Sequence, residues 1–575
     1  MKYLCGFLLC VSLAGQAPPT RPTQPSMNAP APSIKPEDKC VIEGAVVSAT
    51  TGEPLKKAHV SLRSLGQQNG AAYGTTTDGA GHFLLDDVDP GRYSFSASRN
   101  LYVSQQYSPQ GTKRGTTLTL EKGQKLKEIV FKLTPQGVVA GRILDEDGEP
   151  FANVSIQCMT FGYARGKRQL MGQEQTNTND LGEFRFHGLR PGKYVLSAAY
   201  HSPEMFTGIQ ERTVGSDQAA PASEEGYAVT YFPGTTTPDS AQQLDVTPGA
   251  QISGLTMTLA RVRTVRVKGH LNIEVAMGKG PRRNVNVMLM PRDNQAFMMP
   301  RAMARVIDAQ GNFQMRGVAP GSYTIRADLM DNGARYSARM PLEVGNSNVE
   351  GIELNLQLPL EIQGRLKIEE NGDLKGANIN VMLRPKMSGA MMGGGGGAQL
   401  KDDLSFKIGN LSADPYDVNV GGLPEGFYLK SVRLGQQDIT ETGADLSQGG
   451  AAGELTIVIN PNGGQIEGSV QNAKGDVAPG AMVTLIPDAS HQSLTWLYKT
   501  ANTDQNGRFT VKGVRPGEYK IYAWEEVEQG AYMDPDFVKP HESAGEKVSV
   551  KDSGQATVQL KAIPAENSGN EKAVK

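Results

Sequence analysis

The feature that most constrains this chain is a unit of about 100 residues that recurs five times in the sequence. Each copy begins with an apolar segment that has a glycine near its centre, followed by a polar turn and a second apolar segment. The central glycines are Gly44, Gly141, Gly269, Gly364 and Gly468. Because apolar and polar residues alternate with period two, each first half predicts a pair of strands. A glycine inside a strand costs stability, so its recurrence predicts a bulge or a close backbone approach.

The second half of four units carries a turn in which a glycine precedes a phenylalanine by two residues. The turns run from Asp78 to Phe83, Asp180 to Phe184, Asp308 to Phe313 and Asp504 to Phe509, through Gly81, Gly182, Gly311 and Gly507. In the second unit Asn179 holds the position that aspartate has in the others. A carboxylate or amide oxygen there can accept a backbone N–H, and the glycine can take positive φ.

The same four units then end a short apolar strand in the motif Pro-Gly-x-Tyr, which predicts a type II turn with positive φ at the glycine. The motifs end at Tyr93, Tyr194, Tyr323 and Tyr519. The fourth unit is degenerate: Asp402, Phe406, Pro415 and Tyr416 keep the outline, but both glycines are missing. The distance from strand glycine to turn tyrosine stays between 49 residues (Gly44 to Tyr93) and 54 residues (Gly269 to Tyr323). The copies are therefore divergent versions of one unit.

Short strands with frequent turns predict an all-β fold, a tandem array of antiparallel immunoglobulin-like or prealbumin-like β-sandwiches. We expect the domains to be strung like beads, with contacts mostly between neighbours. The predicted sandwiches span 40–134, 135–262, 263–358, 359–461 and 462–562, the second being extended and the fourth degenerate. A signal peptide at 1–17, a proline-rich linker at 18–39 and a disordered tail at 563–575 complete the chain.

The N-terminus is typical of a secretory signal. Lys2 supplies a positive charge, the following apolar run is too short for a permanent membrane anchor, and small residues mark a cleavage site. No later stretch approaches ~20 consecutive apolar residues, so we expect no transmembrane segment in the mature chain. The protein is predicted to be exported to the periplasm, the cell surface or the medium. Of the cysteines, Cys40 and Cys158 lie beyond the signal in different units, which favours two unpaired buried thiols over a disulfide framework.

The repeated motifs resemble the carboxypeptidase regulatory-like, or prealbumin-like, domain. The resemblance covers essentially all of 40–562 and is strongest in the first, second and fifth units. It implies a seven-stranded sandwich similar to transthyretin and little about activity, because this module is the non-catalytic companion of metallocarboxypeptidases. The same turns resemble the B-type repeats of collagen adhesins and the carbohydrate-binding-like sandwich fold. Tandem arrays of this kind resemble exported bacterial proteins.

Net charge and candidate ligands exclude several classes of function. With 58 basic and 60 acidic residues the chain has a net charge of −2, which gives no reason to expect nucleic acid. His201 and Glu204 have a zinc-like spacing, but Pro203 disrupts regular structure between them. The turn aspartates supply one carboxylate each where Ca²⁺ takes 6–8 oxygen ligands. A methionine-rich stretch from Met277 to Met392 contains no joining His or Cys cluster for copper. We predict no catalytic residue, no metal and no cofactor.

A ligand site, if present, is predicted in the fifth unit, which contains both tryptophans of the chain, Trp496 and Trp524. Period-two alternation puts Tyr522 and Trp524 on the face opposite the core residue Tyr519, close to a loop that contains Tyr532. Exposed aromatic faces of this kind stack on sugars. The alternative is that the loop folds back over Trp524 and makes a satellite hydrophobic cluster, which the usual burial of large aromatics favours.

These patterns predict a non-catalytic exported repeat protein that binds or acts as a structural spacer at the bacterial cell envelope. Its partner would be a glycan or an envelope protein. One alternative is a carbohydrate-binding protein. Another is an unrecognised hydrolase, accessory to peptide or polysaccharide processing.

Overall fold

Five β-sandwiches follow one another along the chain in the computed structural model, which describes residues 35–65, 72–108, 115–200, 225–272, 285–292, 302–305, 311–331, 333–370, 372–374, 376–386, 395–449 and 453–565. Each of the five expected ranges encloses a buried apolar cluster of its own. Regular helix within these residues is confined to short 3-10 turns and to one α-helix, α1 (Pro535–Val538). The fold is all-β.

The first domain has two sheets of order β4-β1-β9-β6 and β3-β2-β5-β7, with β8 beside β5. Its strands are β1 (Cys40–Ser48), β2 (His59–Ser64), β3 (Ala72–Thr76), β4 (His82–Val88), β5 (Gly91–Ser98), β6 (Tyr102–Val103), β7 (Gln105–Gln106), β8 (Thr117–Leu120) and β9 (Lys125–Pro135). The second domain has β10 (Gly137–Leu144), β11 (Ser155–Ala164), β12 (Lys167–Asn177), β13 (Glu183–Leu189), β14 (Gly192–Ala199), β15 (Glu225–Tyr227), β16 (Thr230–Tyr231), β17 (Leu244–Val246), β18 (Gln251–Thr258) and β19 (Arg261–Arg263). Its main sheets have the orders β13-β10-β18 and β12-β11-β14-β16.

The third domain pairs a β23-β20-β26 sheet with a β22-β21-β24-β25 sheet. Its strands are β20 (Val265–Asn272), β21 (Asn286–Pro291), β22 (Ala302–Arg305), β23 (Asn312–Val318), β24 (Gly321–Asp331), β25 (Ala334–Val344) and β26 (Val349–Asn355). The fourth domain has β27 (Leu360–Ile368), β28 (Asn380–Pro385), β29 (Gly396–Gln399), β30 (Ser405–Leu411), β31 (Pro415–Gly421), β32 (Tyr428–Leu434), β33 (Gln437–Asp438), β34 (Ala444–Asp445) and β35 (Leu455–Asn460). Its sheets have the orders β30-β27-β35-β32-β33 and β29-β28-β31-β34.

The fifth domain differs because its two sheets are continuous through a short parallel pairing. Its strands are β36 (Gly464–Gln471), β37 (Met482–Pro487), β38 (Lys499–Asn502), β39 (Arg508–Val514), β40 (Gly517–Trp524), β41 (Glu546–Val550) and β42 (Gln555–Ile563). The order is β38-β37-β40-β42-β36-β39, with β41 beside β40. Residues between β40 and β41 form the only α-helix that the described part of the chain contains.

All five domains share one arrangement around their first strand. That strand pairs antiparallel with the strand that carries the motif phenylalanine and parallel with the last long strand of the domain. The sandwiches are therefore mixed at this point, which the prediction of antiparallel sheets did not include. Turn motifs reveal antiparallel hairpins but leave no mark where distant strands meet in parallel.

The strand glycines mark a close approach of three strands, as predicted. Each glycine lies directly opposite the motif phenylalanine, for example Gly364 opposite Phe406. A Cβ on Gly364 would overlap the Phe406 ring and lie 2.5 Å from the carbonyl oxygen of Leu455 on the last strand. Equivalent clashes occur in the other four domains. Only glycine lets the ring and the last strand approach the first strand together.

The Asp turn has the predicted geometry where the structure describes it. Asp78 Oδ1 accepts from the backbone N–H groups of Ala80 (2.9 Å) and His82 (2.8 Å). In the second domain Asn179, and not Asp180, makes the equivalent pair of bonds. The turn glycines take positive φ, and in the degenerate fourth domain Leu404 adopts φ of 60° at the same place. The turn in the fourth domain therefore keeps a positive φ although leucine stands in place of glycine.

The Pro-Gly-x-Tyr motif does not form the predicted type II turn, in which the glycine has φ of about +80°. All four glycines begin a strand in extended backbone: Gly91 and Gly321 have φ of 158°, and Gly192 and Gly517 have no positive φ. The constant feature is the tyrosine hydroxyl, which donates to the carbonyl oxygen four residues upstream in all five domains, at 2.7 to 2.9 Å. The five tyrosines are Tyr93, Tyr194, Tyr323, Tyr416 and Tyr519. This bond is a tyrosine corner, which fixes the entry of the strand into the sandwich.

The array folds back on itself, so it is not a simple string of beads: besides the contacts between neighbours, domains distant in sequence also meet. Gln505 of the fifth domain accepts from the backbone N–H of Thr119 (3.1 Å) and donates to its carbonyl oxygen (3.3 Å) in the first domain. Arg165 of the second domain donates to the carbonyl oxygens of Lys386 and Pro385 in the fourth. Strand patterns define domains but carry no signal for contacts between domains so distant in sequence.

Candidate functional site

The candidate site is the outer face of β40 in the fifth domain, where the aromatic residues of the sequence prediction lie. Tyr519, Ile521 and Ala523 face the sandwich core. Tyr522 and Trp524 lie in a second apolar cluster on the opposite face, so the alternation along β40 is as expected. This second cluster, the satellite cluster, consists of Met482, Ile486, Tyr498, Tyr522, Trp524, Val527, Ala531, Tyr532 and Ile563.

The segment 525–545 folds back over the satellite cluster and closes it. Trp524 is 1% exposed, with its ring stacked on Tyr522 at 5.7 Å between centroids and tilted against Phe537 of α1 at the same distance. His541 meets the tryptophan ring edge-to-face at 5.2 Å. The indole Nε1–H donates to Thr484 Oγ1 at 2.9 Å, so the one polar group of the indole is also satisfied inside the protein.

Tyr532 belongs to the same closed cluster and is 2% exposed. Its hydroxyl accepts from Gln529 Nε2 at 3.0 Å, and its ring lies 6.5 Å from that of Tyr498. Burial raises the pKa of Tyr498 to about 12, which keeps its phenol neutral. The three predicted ligand residues, Tyr522, Trp524 and Tyr532, are thus brought together but offer no open ring face to a sugar. The prediction of an exposed aromatic platform is therefore wrong. The structure agrees with the alternative, in which the loop folds back over Trp524 and makes a satellite cluster.

Alternation from Leu494 to Tyr498 predicts that Trp496 shares one face of a strand with these two residues, but the structure places it elsewhere. It is part of a 3-10 turn, Thr495–Leu497, and not of a strand that alternates with Leu494 and Tyr498. Its ring packs against the core of the fourth domain and lies 5.5 Å from the guanidinium carbon of Arg515. The two tryptophans therefore serve two different contacts, one inside the fifth domain and one at its border with the fourth.

A hairpin from the second domain reaches the cover of the satellite cluster. Strands β11 and β12 are joined by the two-residue turn Arg165-Gly166, both residues having positive φ as in a type I′ turn. At this tip Tyr163 packs edge-to-face on Phe537 at 5.9 Å. A Cβ on Gly166 would lie 2.5 Å from the carbonyl oxygen of Met533, so only glycine permits this contact. We call this contact the hairpin–cover interface.

The remaining candidate residues do not form a reactive site in the part of the chain that the structure describes. Cys40 and Cys158 are free and buried, and burial raises the pKa of the Cys158 thiol to about 12. The carboxylates of Asp78 and Asp504 accept hydrogen bonds from backbone N–H groups of their own turns. His201, Glu204 and Asp308 lie outside the described residues, as do six of the thirteen methionines between Met277 and Met392.

Among the residues that the structure describes, no group of three or more His, Cys, Asp or Glu side chains is placed to hold a metal ion. No helix there is long and apolar enough to cross a membrane.

Comparison with known proteins agrees with this architecture. Residues 41–134 and 465–531 match the family model of the carboxypeptidase regulatory-like domain. No curated protein matches the chain.

Among solved structures, the chain is similar to the minor pilin GBS52 of Streptococcus agalactiae, with 12% identity, 43% of this chain and 99% of that chain covered, and a TM-score of 0.22. It is similar to two B repeat units of the collagen-binding protein of Staphylococcus aureus, with 11% identity, coverage of 73% and 99%, and a TM-score of 0.13. The major pilin subunit of Bacillus cereus gives 10% identity, coverage of 91% and 99%, and a TM-score of 0.13.

The family match falls on the two domains at the ends of the array, and the shared strand glycine, phenylalanine and tyrosine corner extend the same plan to the three between them. The first and fifth domains match the carboxypeptidase regulatory-like domain, and the chain as a whole is a tandem array of β-sandwiches.

Proposed function

We propose that this protein is a non-catalytic, exported scaffold of the bacterial cell envelope, in which five sandwiches are held in one fixed arrangement. The observation that carries the proposal is the set of contacts between domains that are not neighbours in sequence. A simple spacer would gain reach from an extended array, whereas a folded-back array gains a defined shape. A defined shape suits a protein that holds an envelope partner in place.

The hairpin–cover interface supports this role because it joins parts that have no local reason to meet. Tyr163 and Gly166 contact the fifth domain, while Arg165 between them makes two hydrogen bonds, of 2.8 and 3.1 Å, to carbonyl oxygens of the fourth. One turn thus fixes three domains. A glycan as partner loses support at the satellite cluster, since no ring face is available there for stacking.

Tyr163→Ala is expected to open the array. Loss of an aromatic anchor at an interface costs about 1–2 kcal/mol, which weakens the docking of the hairpin on the fifth domain. Small-angle X-ray scattering of the full chain should show a larger radius of gyration and maximum dimension than the wild type. Lys167→Ala is the matched control, because Lys167 is exposed at the same hairpin tip. A wild-type scattering curve of an extended five-domain string would refute the scaffold.

Export is expected to remove the first 17 residues. The short apolar run after Lys2 and the small residues that follow are typical of a cleaved signal. Mass spectrometry of the protein from an envelope fraction of its bacterial host should give an N-terminus at or near Pro18. A chain that is recovered from the cytoplasm with Met1 to Ala17 intact would contradict this part of the proposal.

A further inference from the structure

A cleft lies where the fourth and fifth domains meet. It encloses a cavity of about 90 Å³. The fourth domain contributes Asn419, Leu423 and Leu429 to its lining, and the fifth contributes Trp496, Lys499 and Arg515. The cleft is separate from the satellite cluster, and a ligand in it would bind whether or not the protein is a scaffold.

Lys499 and Arg515 of the fifth domain line this cavity, and neither forms an ion pair with another residue that the structure describes. Within the described residues, the half-buried Lys499 ammonium takes part in no ion pair or hydrogen bond, and burial lowers the pKa of Lys499. Arg515 rests on the face of Trp496, a cation–π contact. Hydrogen bonds from the hydroxyl and the backbone N–H of Thr440 lower the pKa of the nearby Asp438, and the charge of Arg515 adds only a minor contribution.

An unpaired ammonium in such a place is costly. Removing a charge from water without a counter-charge is unfavourable, and proteins normally offset it with a partner. The lining of the cavity contains no acidic residue. An anion in the cavity would supply the missing charge for Lys499 and Arg515 at once.

The size and walls of the cavity select the anion. Ligand pockets for drug-sized molecules measure ~300–1,000 Å³, so a cavity of this size holds a carboxylate and a few carbon atoms, not a whole sugar ring. Leu423, Leu429 and Trp496 make part of the lining apolar, which suits a short carbon chain. Asn419 adds an amide that can donate to a second carboxylate oxygen.

We propose that the cleft between the fourth and fifth domains binds a small organic carboxylate, with Lys499 and Arg515 as its counter-charges and Trp496 against its carbon chain. Binding at this border also ties the two domains together. The ligand would bridge the two domains, because Lys499 and Arg515 of the fifth domain offset its charge while Leu423 and Leu429 of the fourth domain line the same cavity.

Propionate is the probe, and propionamide is its uncharged match. In the full chain, propionate should change the tryptophan fluorescence saturably, since Trp496 lines the cleft while Trp524 is buried elsewhere. Propionamide should give no saturable change. Lys499→Met keeps the length of the side chain without its charge and should weaken propionate binding at least tenfold. Lys474→Met, an exposed lysine of the same domain, should leave binding unchanged.

Several results would overturn the site. Equal responses to propionate and propionamide would show that charge is not recognised, and undiminished binding in Lys499→Met would show that this lysine is not the counter-charge. Tighter binding of inorganic phosphate than of propionate would reject a carboxylate as the ligand class. Because the unpaired ammonium is unfavourable, Lys499→Met should keep or raise the thermal midpoint of the free protein. Arg515→Gln gives a second variant, for which the same loss of propionate binding is expected.

Discussion

Gly364→Ala is expected to destabilise the fourth domain by about 3 kcal/mol, the upper range for overpacking a core. The added Cβ would overlap the Phe406 ring and press on the carbonyl oxygen of Leu455 at 2.5 Å. Both neighbours are held in the sheet, so neither can yield without loss of strand pairing. Hydrogen exchange followed by mass spectrometry measures this effect locally, in peptides that cover β27 and β35, where a global unfolding curve of five domains would not.

Gly409→Ala is the matched control in the paired strand β30. A Cβ there would meet no atom within 4 Å. The same substitution should therefore change the unfolding free energy from hydrogen exchange by less than ~0.5 kcal/mol. Equal effects of the two substitutions would mean that the strand glycine is not needed for close approach. The result would then count against the shared plan of all five domains.

Trp524→Ala is expected to cost the fifth domain about 3–5 kcal/mol, as for other fully buried large aromatics. The substitution removes the ring that Tyr522, Phe537 and His541 pack against, and it leaves Thr484 without its donor. The segment 525–545 should then lose the ring against which Phe537 and His541 pack. Protection from hydrogen exchange in α1 and in the adjoining 3-10 turns should fall more than protection in β36.

Thr484→Val separates the hydrogen bond from the packing. It keeps the shape of the side chain and removes only the acceptor, so a loss of about 1–3 kcal/mol is expected from the unsatisfied indole N–H. If Trp524→Ala left both stability and exchange near the wild-type values, the satellite cluster would have to be loose. Tyr522 and Tyr532 would then again be candidates for ligand contact.

Much of each domain could be predicted because the repeat motifs are local. Period-two alternation located the strands, and the glycine opposite Phe406 or Phe509 marked a close approach that the structure confirms. The Asx turn could be predicted because it involves only one side chain and the two backbone N–H groups that this side chain caps. Even the displacement of the cap to Asn179 in the second domain was visible from spacing alone.

Three buried threonines show what local patterns miss. Thr77, Thr178 and Thr503 precede the capping residue in their domains, and each donates to one backbone carbonyl and accepts from one backbone N–H of the preceding segment. Threonine before Asp or Asn was present in the sequence as a recurring signal. Its role depends on a segment about 20 residues away, so spacing identifies the position but not the bonds.

The candidate site was harder to predict, because alternation assigns a side chain to a face of a strand and not to water or to protein. Tyr522 and Trp524 are on the expected face, yet the segment 525–545 covers them. Trp496 was misplaced because a short 3-10 turn interrupts the apparent alternation. The approach of Tyr163 to Phe537 joins residues hundreds of positions apart, and no motif encodes it.

The contact between Tyr163 and Phe537 also imposes an order in time. The hairpin tip is synthesised long before its docking surface, and at ~5–20 residues per second the delay is on the order of tens of seconds. Until the fifth domain is made, Tyr163 lacks its partner Phe537, and the tip has only the fourth domain to contact, through Arg165. A chain truncated after the fourth domain would keep four sandwiches but could not form the contact between Tyr163 and Phe537. The final arrangement of the earlier domains therefore depends on the fifth domain.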